Sequence, residues 1–449
     1  MTPAPRGRGL ILAAPSSGQG KTLATLALLR ALRDAGTRVA AAKAGPDYID
    51  PGFHAAACGS PSTKLDVWAM RATTLGALVD ALERDAELVL CEGVMGLFDG
   101  IGASIDGSTA AHAEATGWPV LLVVDARAMA GSVGALVAGF ARHRAATKLA
   151  GVLLNRVGGA VHEATLRAAL AAATPELPVV GALPRADALA LPSRHLGLVQ
   201  ALELARLEET IVAAAALAAR HVDLTQLAAL ARPARIAAPA DRAVPLPPPG
   251  QRIAVASDPA FAFAYPATLE GWRRAGAEIR TFSPLANEPP PADCDAVFLP
   301  GGYPELHAGT LATAARFRSG LAHAGARGAW IYGECGGYMA LGSGLVDRAG
   351  VRHAMAGLLP VETSFAAPRL HLGYRAARLL TDAAPGRAGA AFRGHEFHYA
   401  SVVEEGDGPA LFALADAGGF ERGKAGRAIG RVAGSFIHLV DQRQGASDV

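Results

Sequence analysis

The first pattern that could do chemistry is a glycine-bearing loop near the start of the chain. Residues 10–22 read Leu-Ile-Leu-Ala-Ala-Pro-Ser-Ser-Gly-Gln-Gly-Lys-Thr, which predicts a strand, a turn and the start of a helix. Glycines let consecutive backbone N–H groups face an anion, and the helix N-terminus adds partial positive charge. Lys21 can reach the β- and γ-phosphates, and the Thr22 hydroxyl can ligate Mg²⁺. The predicted ATP-binding residues of this loop are Ser17, Gly18, Gln19, Gly20, Lys21 and Thr22.

The loop departs from the usual pattern at Pro15, which stands where a glycine is usual, five residues before Gly20. The alternative interpretation is a glycine-rich turn with a surface lysine. The apolar run before the loop and the helical pattern after it favour a phosphate site.

Charged side chains follow the next two predicted strands, in residues 43–54 and 91–100. Open α/β sheets bind ligands at the carboxyl ends of their strands, so these side chains should lie beside the nucleotide. We predict that Thr22, Asp47 and Glu92 hold Mg²⁺, directly or through water.

Three further residues of these segments are candidates for contact with the substrate. Lys43 offers a second positive charge for an anionic substrate or a transferring phosphoryl group, and Asp50 and Asp99 offer oxygen atoms. The alternative for Asp47 and Asp50 is that they only form turns beside Pro46 and Pro51.

Asn155 and Arg156 follow a fifth predicted strand and complete the predicted ATP-binding set. An Asn amide both donates and accepts, so Asn155 could read the edge of adenine. A polar loop residue without that role is an equal alternative.

A second chemical centre lies in the C-terminal half, where residues 330–338 read Trp-Ile-Tyr-Gly-Glu-Cys-Gly-Gly-Tyr. The Gly-x-Cys-x-Gly pattern predicts a nucleophile elbow, a sharp turn between a strand and a helix that lifts the reactive atom of Cys335 above the sheet. A helix N-terminus favours the thiolate, so we expect a lowered pKa for Cys335. The alternative is a buried structural thiol.

A cysteine nucleophile needs a base and an oxyanion site. His438 is the favoured base, because residues 435–440 predict a short strand that could bring it to the elbow. Gly302 and Gly336 are the predicted oxyanion donors through their backbone N–H groups. The other downstream histidines are His353, His371, His395 and His398. His395 and His398 lack the glutamate spacing of a helical zinc site, so the sequence does not favour a metal there.

Strands and helices that alternate along both halves must position these groups. Continuous apolar runs predict buried strands at 10–13, 39–42, 88–91, 120–124 and 152–154, with helices at 22–35, 73–84 and 133–144 between them. A second alternating set begins at residue 253. We therefore predict two α/β domains, residues 1–232 with a parallel sheet and residues 251–449, joined by a proline-rich, extended linker at 233–250.

Composition excludes several other classes of protein. The 449 residues are 51% hydrophobic and 18% charged, which rules out intrinsic disorder, and a net charge of +2 argues against nucleic-acid binding. Four cysteines form no disulfide framework. The first apolar run is too short for a signal peptide, and none is long enough for a membrane span, so we expect a cytoplasmic protein.

Both halves resemble known families. Gly-Glu-Cys-Gly-Gly-Tyr, Pro-Gly-Gly-Tyr-Pro-Glu and the late histidine resemble class I glutamine amidotransferases of the cobyric-acid-synthase subgroup, with a flavodoxin-like α/β fold. The phosphate loop, Lys-Ala-Gly-Pro-Asp-Tyr-Ile-Asp-Pro and Glu-Gly-Val-Met-Gly-Leu-Phe-Asp-Gly resemble the dethiobiotin-synthetase-like ATPase half of the cobyrinic acid and hydrogenobyrinic acid a,c-diamide synthases.

This resemblance implies a cytoplasmic carbon–nitrogen ligase of cobalamin biosynthesis, with Mg²⁺, ATP, glutamine and a corrinoid as its ligands and a homodimer as its assembly. ATP would phosphorylate the c and a acetate carboxylates, and ammonia would attack the acyl phosphates. Cys335 would form a thioester with glutamine, His438 would activate the thiol, and Tyr48 would join the substrate residues.

One departure from triad amidotransferases stands at Val440, where those enzymes carry glutamate two residues after the histidine. A Cys–His dyad is then implied, and the sequence leaves open what orients the imidazole. The alternative substrates are another tetrapyrrole, such as a nickel sirohydrochlorin, or the side chains amidated by cobyric acid synthase. A further alternative is a P-loop partitioning ATPase with a binding module.

Overall fold

The structure is a computed structural model that describes residues 6–189, 204–237 and 244–443. The chain divides into two compact units, the first within residues 1–68 and 75–241 and the second comprising residues 69–74 and 242–449. No helix in the described part of the chain is long and apolar enough to cross a membrane.

A seven-stranded parallel sheet forms the centre of the first unit, in the order β3-β2-β4-β1-β5-β6-β7. Its strands are β1 (Arg8–Ala13), β2 (Val39–Ala44), β3 (Thr63–Leu65), β4 (Leu88–Glu92), β5 (Val120–Asp125), β6 (Leu149–Val157) and β7 (Val179–Pro184). The helices are α1 (Lys21–Asp34), α2 (Asp50–Cys58), α3 (Ala72–Asp85), α4 (Thr109–Thr116), α5 (Ser132–His143), α6 (Ala160–Ala173), α7 (Leu207–His221) and α8 (Leu224–Leu230).

The apolar runs of the sequence are the buried strands of this sheet. β1, β4 and β5 are almost completely buried, because helices cover the sheet and leave the central strands no contact with water. The strands predicted from residues 10–13, 39–42, 88–91, 120–124 and 152–154 are confirmed, whereas β3 and β7 were not predicted. Since β1 lies between β4 and β5, the loops that follow these three strands open at the same edge.

The second unit contains a ten-stranded mixed sheet, in the order β21-β16-β15-β18-β19-β20-β11-β10-β8-β9, and a four-stranded sheet, β13-β12-β14-β17. Its strands are β8 (Arg252–Ala256), β9 (Glu278–Phe282), β10 (Ala296–Leu299), β11 (Trp330–Glu334), β12 (Gly344–Val346), β13 (Arg352–Ala354), β14 (Val361–Ser364), β15 (His371–Leu379), β16 (Ala391–His398), β17 (Ser401–Glu405), β18 (Ala410–Asp416), β19 (Glu421–Ile429), β20 (Val432–Ser435) and β21 (Ile437–Arg443). The helices are α9 (Pro266–Arg274), α10 (Ala308–Thr313), α11 (Ala315–Ala326) and α12 (Gly336–Leu341).

The predicted strand at residues 435–440 is wrong in its extent, because two strands share that segment. β20 ends at Ser435 and pairs with β11 in parallel, whereas β21 begins at Ile437 and pairs with β16 in antiparallel register. Between them, Phe436 packs on His398 and Tyr338, with ring centroids 3.8 and 5.4 Å apart. The chain therefore changes its pairing partner at this point, and His438 lies on β21.

Part of the predicted linker packs against the second unit. Residues 238–243 lie outside the described residues, and the segment from 244 onward forms no helix or strand before β8. Leu246 is buried and its carbonyl accepts a hydrogen bond from the Trp272 indole at 3.1 Å. The Pro245 carbonyl accepts from the Gln442 backbone N–H at 3.0 Å.

A buried ion pair joins residues 69–74 to the last strand of the second unit. The Arg71 guanidinium binds Asp441 Oδ1 at 2.8 and 3.1 Å, and the Arg71 backbone N–H donates to Oδ2 at 2.8 Å. Asp441 is completely buried. Burial raises the pKa of Asp441, although Arg71 opposes that shift.

We expect Arg71→Ala to lower the free energy of unfolding of this unit by about 3–5 kcal/mol, because it leaves a buried carboxylate without its cation. Chemical denaturation followed by fluorescence measures the change. Arg280→Ala removes a surface ion pair with Asp293 in the same unit and should have a much smaller effect, because water screens such a pair. Equal effects of the two substitutions would contradict the prediction.

Candidate active sites

The loop between β1 and α1 has the conformation expected of a phosphate site. Gly18 and Gly20 have φ of +81° and +83°, which glycine adopts without steric cost. α1 begins directly afterwards at Lys21. The turn and the helix N-terminus together form the arrangement that binds phosphate in many nucleotide sites.

Two side chains at the end of β6 fasten this loop. Asn155 Nδ2 donates to the Gln19 carbonyl at 2.8 Å, and Arg156 Nη1 donates to the Gly18 carbonyl at 3.0 Å. A Cβ on Gly20 would lie 2.4 Å from Asn155 Nδ2, so this position needs glycine. The side-chain oxygen Oδ1 of Asn155 also accepts from the Arg156 backbone N–H at 3.0 Å. Asn155 therefore supports the loop, and its contact with adenine stays a prediction.

A buried chain of polar groups runs from the loop into the first unit. Thr22 Oγ1 donates to Glu92 Oε1 at 2.7 Å, and Glu92 Oε2 lies 2.7 Å from His54 Nε2. His54 Nδ1 in turn lies 3.3 Å from Ser62 Oγ. The sequence analysis did not identify His54. Its spacing of four residues from Asp50 on α2 was the available signal, since such residues share a helix face.

Lys43 lies among the predicted carboxylates. Its ammonium donates to the Gly93 carbonyl at 3.0 Å and lies 3.4 Å from Asp50 and 3.9 Å from Asp47. Asp47 Oδ1 also accepts from two backbone N–H groups at the start of α2, at 2.7 and 3.1 Å. Asp47 thus forms the turn that the alternative interpretation proposed, and its other oxygen faces Lys43.

Burial and close charges set the protonation of this cluster. Burial and repulsion by Lys43 lower the pKa of Lys21 to about 8. Burial disfavours a charged Lys43, but Glu92, Asp50 and Asp47 outweigh it and raise the pKa of that lysine. Burial also opposes ionisation of Glu92, but Lys43 and His54 dominate and lower its pKa to about 2. Glu92 is therefore a carboxylate at neutral pH, as a metal ligand must be.

A cleft of about 940 Å³ is lined by all of the predicted nucleotide and metal residues. Its walls include the predicted members Ser17, Gly18, Gln19, Gly20, Lys21, Thr22, Lys43, Asp47, Asp50, Glu92, Asn155 and Arg156. Tyr48 and Asp99 are not among its lining residues. Lys64 lies 3.1 Å above the Tyr48 ring, and Asp99 Oδ2 accepts from the Gly96 backbone N–H at 2.9 Å in a local turn.

The second unit contains the nucleophile elbow that the sequence predicts. Cys335 follows β11 and precedes α12, with φ of +49° and ψ of −106°. A Cβ on Gly337 would lie 1.9 Å from the Leu299 carbonyl oxygen, and one on Gly333 would lie 2.6 Å from the Gly337 backbone. Both glycines are therefore needed for the sharp turn.

The structure brings His438 to the elbow. A Cβ on Gly301 would lie 2.4 Å from His438 Cε1 and 3.3 Å from both His438 Nε2 and Cys335 Cβ. The imidazole edge that carries Nε2 and the Cβ atom of Cys335 therefore both lie against Gly301. A Cβ on Gly336 would lie 2.9 Å from the Gly302 backbone N, so the two predicted oxyanion glycines are also adjacent.

The prediction of a lowered pKa for Cys335 is wrong. Cys335 is 3% exposed, and its thiol lies 3.7 Å from the Phe397 carbonyl oxygen. Burial, followed by the negative charge of Glu305, raises the pKa of Cys335. The short helix α12 does not offset these effects. The thiol must therefore lose its proton to a neighbouring base when it reacts.

Glu305 is a residue of this site that sequence reasoning missed. Its Oε2 atom is buried and has no hydrogen-bond partner among the described residues. Burial raises the pKa of Glu305 to about 8. Its place directly after the Gly-Gly-Tyr-Pro turn was the available signal.

Three other polar side chains on β15 and β16 form a separate cluster. Ligand atoms of His371, Glu396 and His398 lie within 4.8 Å of one another. Arg375 binds Glu396 at 2.6 Å, and the other Glu396 oxygen lies 3.0 Å from His398 Nε2. The carboxylate of this cluster is therefore already paired with a cation of the protein.

Comparison with known proteins gives matches to both units. Residues 10–199 match the CobQ/CobB/MinD/ParA nucleotide binding domain, and residues 252–445 match the CobB/CobQ-like glutamine amidotransferase domain. The chain is 52% identical over 438 residues to the hydrogenobyrinate a,c-diamide synthase of Brucella abortus, which covers 97% of this chain and 98% of the relative. The proteins of that name from Rhizobium meliloti and Rhodobacter capsulatus are both 51% identical to this chain. Each match spans 96% of this chain, and the matches span 99% and 98% of the two relatives, respectively.

Proposed function

The chain belongs to the hydrogenobyrinate a,c-diamide synthase family, and we propose that it amidates the a and c acetate carboxylates of hydrogenobyrinic or cobyrinic acid. ATP activates the acid, glutamine supplies the nitrogen, and the product enters cobalamin biosynthesis. The observation that carries the proposal is the presence, in one chain, of a phosphate loop beside Glu92 and of a cysteine elbow beside His438.

We assign ATP-dependent amidation to residues 1–232 and glutamine hydrolysis to residues 251–449, with 233–250 as the connection. In the first region, a carboxylate oxygen of the corrin acetate attacks the γ-phosphorus of ATP and ADP leaves. Lys21 and Lys43 neutralise the negative charge that collects on the transferring group. The nitrogen of ammonia then attacks the acyl carbon of the mixed anhydride, and phosphate leaves with its electron pair.

The donor set at the loop fits Mg²⁺, because the Thr22 hydroxyl and the Glu92 carboxylate are hard oxygen ligands that lie 2.7 Å apart. Asp47 lies on the same cleft and completes the proposed set. When bound with ATP, the ion supplies positive charge to the β- and γ-phosphates. Lys43, Asp50, Tyr48 and Asp99 are the proposed contacts of the corrinoid.

In the second region, Cys335 attacks the side-chain carboxamide of glutamine. His438 takes the thiol proton and gives it to the departing ammonia, which leaves a thioester on Cys335. The Gly302 and Gly336 backbone N–H groups stabilise the oxyanion that forms before ammonia leaves. Water then hydrolyses the thioester to glutamate and restores the thiol.

The identity of the acid is tested by mass spectrometry of the products formed with ATP and glutamine. We expect hydrogenobyrinic or cobyrinic acid to lose about 1 Da for each of two amidations, since an amide –NH₂ replaces –OH. Fragmentation should place both amides on the acetate side chains. A nickel sirohydrochlorin and a corrinoid already amidated at a and c should remain unchanged. Amidation of either one instead of the free acids would contradict the proposed substrate.

A further inference from the structure

The carboxylate of Glu334 lies directly behind the imidazole of His438. Its Oε2 atom is 3.9 Å from His438 Nδ1, and both side chains are almost completely buried. Glu334 is the last residue of β11 and immediately precedes Cys335. The position two residues after His438 is occupied by Val440, which cannot perform this function.

The protein holds this carboxylate in place through the backbone of β21. The backbone N–H of Leu439 donates to Glu334 Oε1 at 3.1 Å. Leu439 follows His438 on β21, so the strand that presents the base also binds the acid. Glu334 is the last residue of β11, and the nucleophile Cys335 follows it directly in the chain. Two strands therefore fix the relative positions of all three groups.

The other charged and titratable groups nearby interact with other partners. Glu396 is bound by Arg375 and His398, and the negative charge of Glu305, after burial, raises the pKa of the Cys335 thiol. His395 stacks on His438 with ring centroids 5.0 Å apart, and its Nε2 atom lies 2.7 Å from the Tyr265 hydroxyl. The Glu334 carboxylate, in contrast, lies 3.9 Å from the Nδ1 atom of His438.

We propose that Glu334 is the positioning residue of the glutaminase site and accepts a hydrogen bond from His438 Nδ1. This inference rests on the proposed hydrolysis of glutamine at Cys335. With Nδ1–H directed at Glu334, the lone pair of Nε2 faces the cysteine and can take the thiol proton. The carboxylate then stabilises the imidazolium that forms, without taking up a proton itself. A separation of 3.9 Å shortens to a hydrogen bond as substrate binds, as is common for catalytic contacts.

The substitution Glu334→Gln tests this role, because it keeps the size of the side chain and removes its charge. We expect glutamine-dependent kcat to fall about 100-fold, with KM for glutamine within about twofold of the unaltered protein. Amidation with ammonium chloride should not change. The acid limb of the pH profile for glutamine use should move to lower pH, because the imidazolium loses its partner. NMR titration should show the same fall in the protonation midpoint of His438.

Two further variants separate this role from a structural one. Glu334→Asp keeps the charge on a shorter side chain. Its kcat and the protonation midpoint of His438 should therefore lie between those of the unaltered protein and those of Glu334→Gln. Glu362→Gln removes a carboxylate on β14 that pairs with exposed Arg352, and it should leave all of these quantities unchanged.

The possible results distinguish the inference from the function on which it rests. Unchanged kcat and an unchanged His438 midpoint in Glu334→Gln would overturn the positioning role. Equal loss of glutamine-dependent and ammonia-dependent activity would also overturn it, because it would indicate a general structural effect. Glutamine use by a protein that lacks the Cys335 thiol would instead remove the proposed glutaminase site, whatever Glu334 does.

Discussion

Replacement of Cys335 with serine should abolish amidation with glutamine while amidation with ammonium salts continues. The thiol is the proposed nucleophile, and Cys335 is the residue that forms the turn of the elbow between β11 and α12. A serine hydroxyl is a far weaker nucleophile than a thiolate when His438 is the only base, so we expect a loss of at least about 1,000-fold. The acid-activating cleft is built from other residues and does not need the thiol.

The measurement is the rate of amide formation with each nitrogen source, at saturating ATP and corrinoid. Cys294→Ser is the matched control, because Cys294 is a buried free thiol of the same unit and has no proposed role in catalysis. It should keep both activities. Equal loss of both activities in Cys335→Ser would disprove the division of labour between two sites. Retention of glutamine use would show that another group attacks the carboxamide.

Features that depend on local sequence could be predicted from the chain alone. The turn at Gly18 and Gly20 and the elbow at Cys335 each need glycines within a few residues of a strand and a helix, so their spacing is informative. The central strands were also predictable, because burial on both faces requires continuous apolar runs. β3 was not, since Thr63–Leu65 is short and includes a lysine.

Features that depend on pairing between distant segments could not be predicted. Glu334 meets His438 only because β11, β20 and β21 bring residues about a hundred positions apart together, and the sequence has no signal for that register. His54 meets Glu92 through the packing of α2 on the sheet. The pKa of Cys335 was predicted with the wrong sign for a similar reason. A helix N-terminus is visible in the sequence, whereas burial and the carboxylate of Glu305 are properties of the folded unit.

Replacement of Lys21 with alanine should stop amidation with glutamine and with ammonium salts alike. Lys21 is the cation at the start of α1, and its ammonium donates to the Met95 carbonyl at 2.9 Å across the cleft. Removal of one preorganised charge from a transferring phosphoryl group typically costs about 1,000-fold in rate. We expect a loss of that order in amide formation and in corrinoid-dependent ADP release, because acid activation precedes the use of ammonia from either source.

Lys148→Ala is the control for this substitution, because Lys148 is an exposed lysine of the same unit, outside the cleft. Its amidation rates should match those of the unaltered protein. The Lys21 and Cys335 variants together make a stronger test than either one alone. Ammonia restores activity when only the nitrogen supply is broken, and it cannot restore activity when the acid is not phosphorylated. Ammonia-dependent amidation at an undiminished rate in Lys21→Ala would remove the phosphate loop from the mechanism.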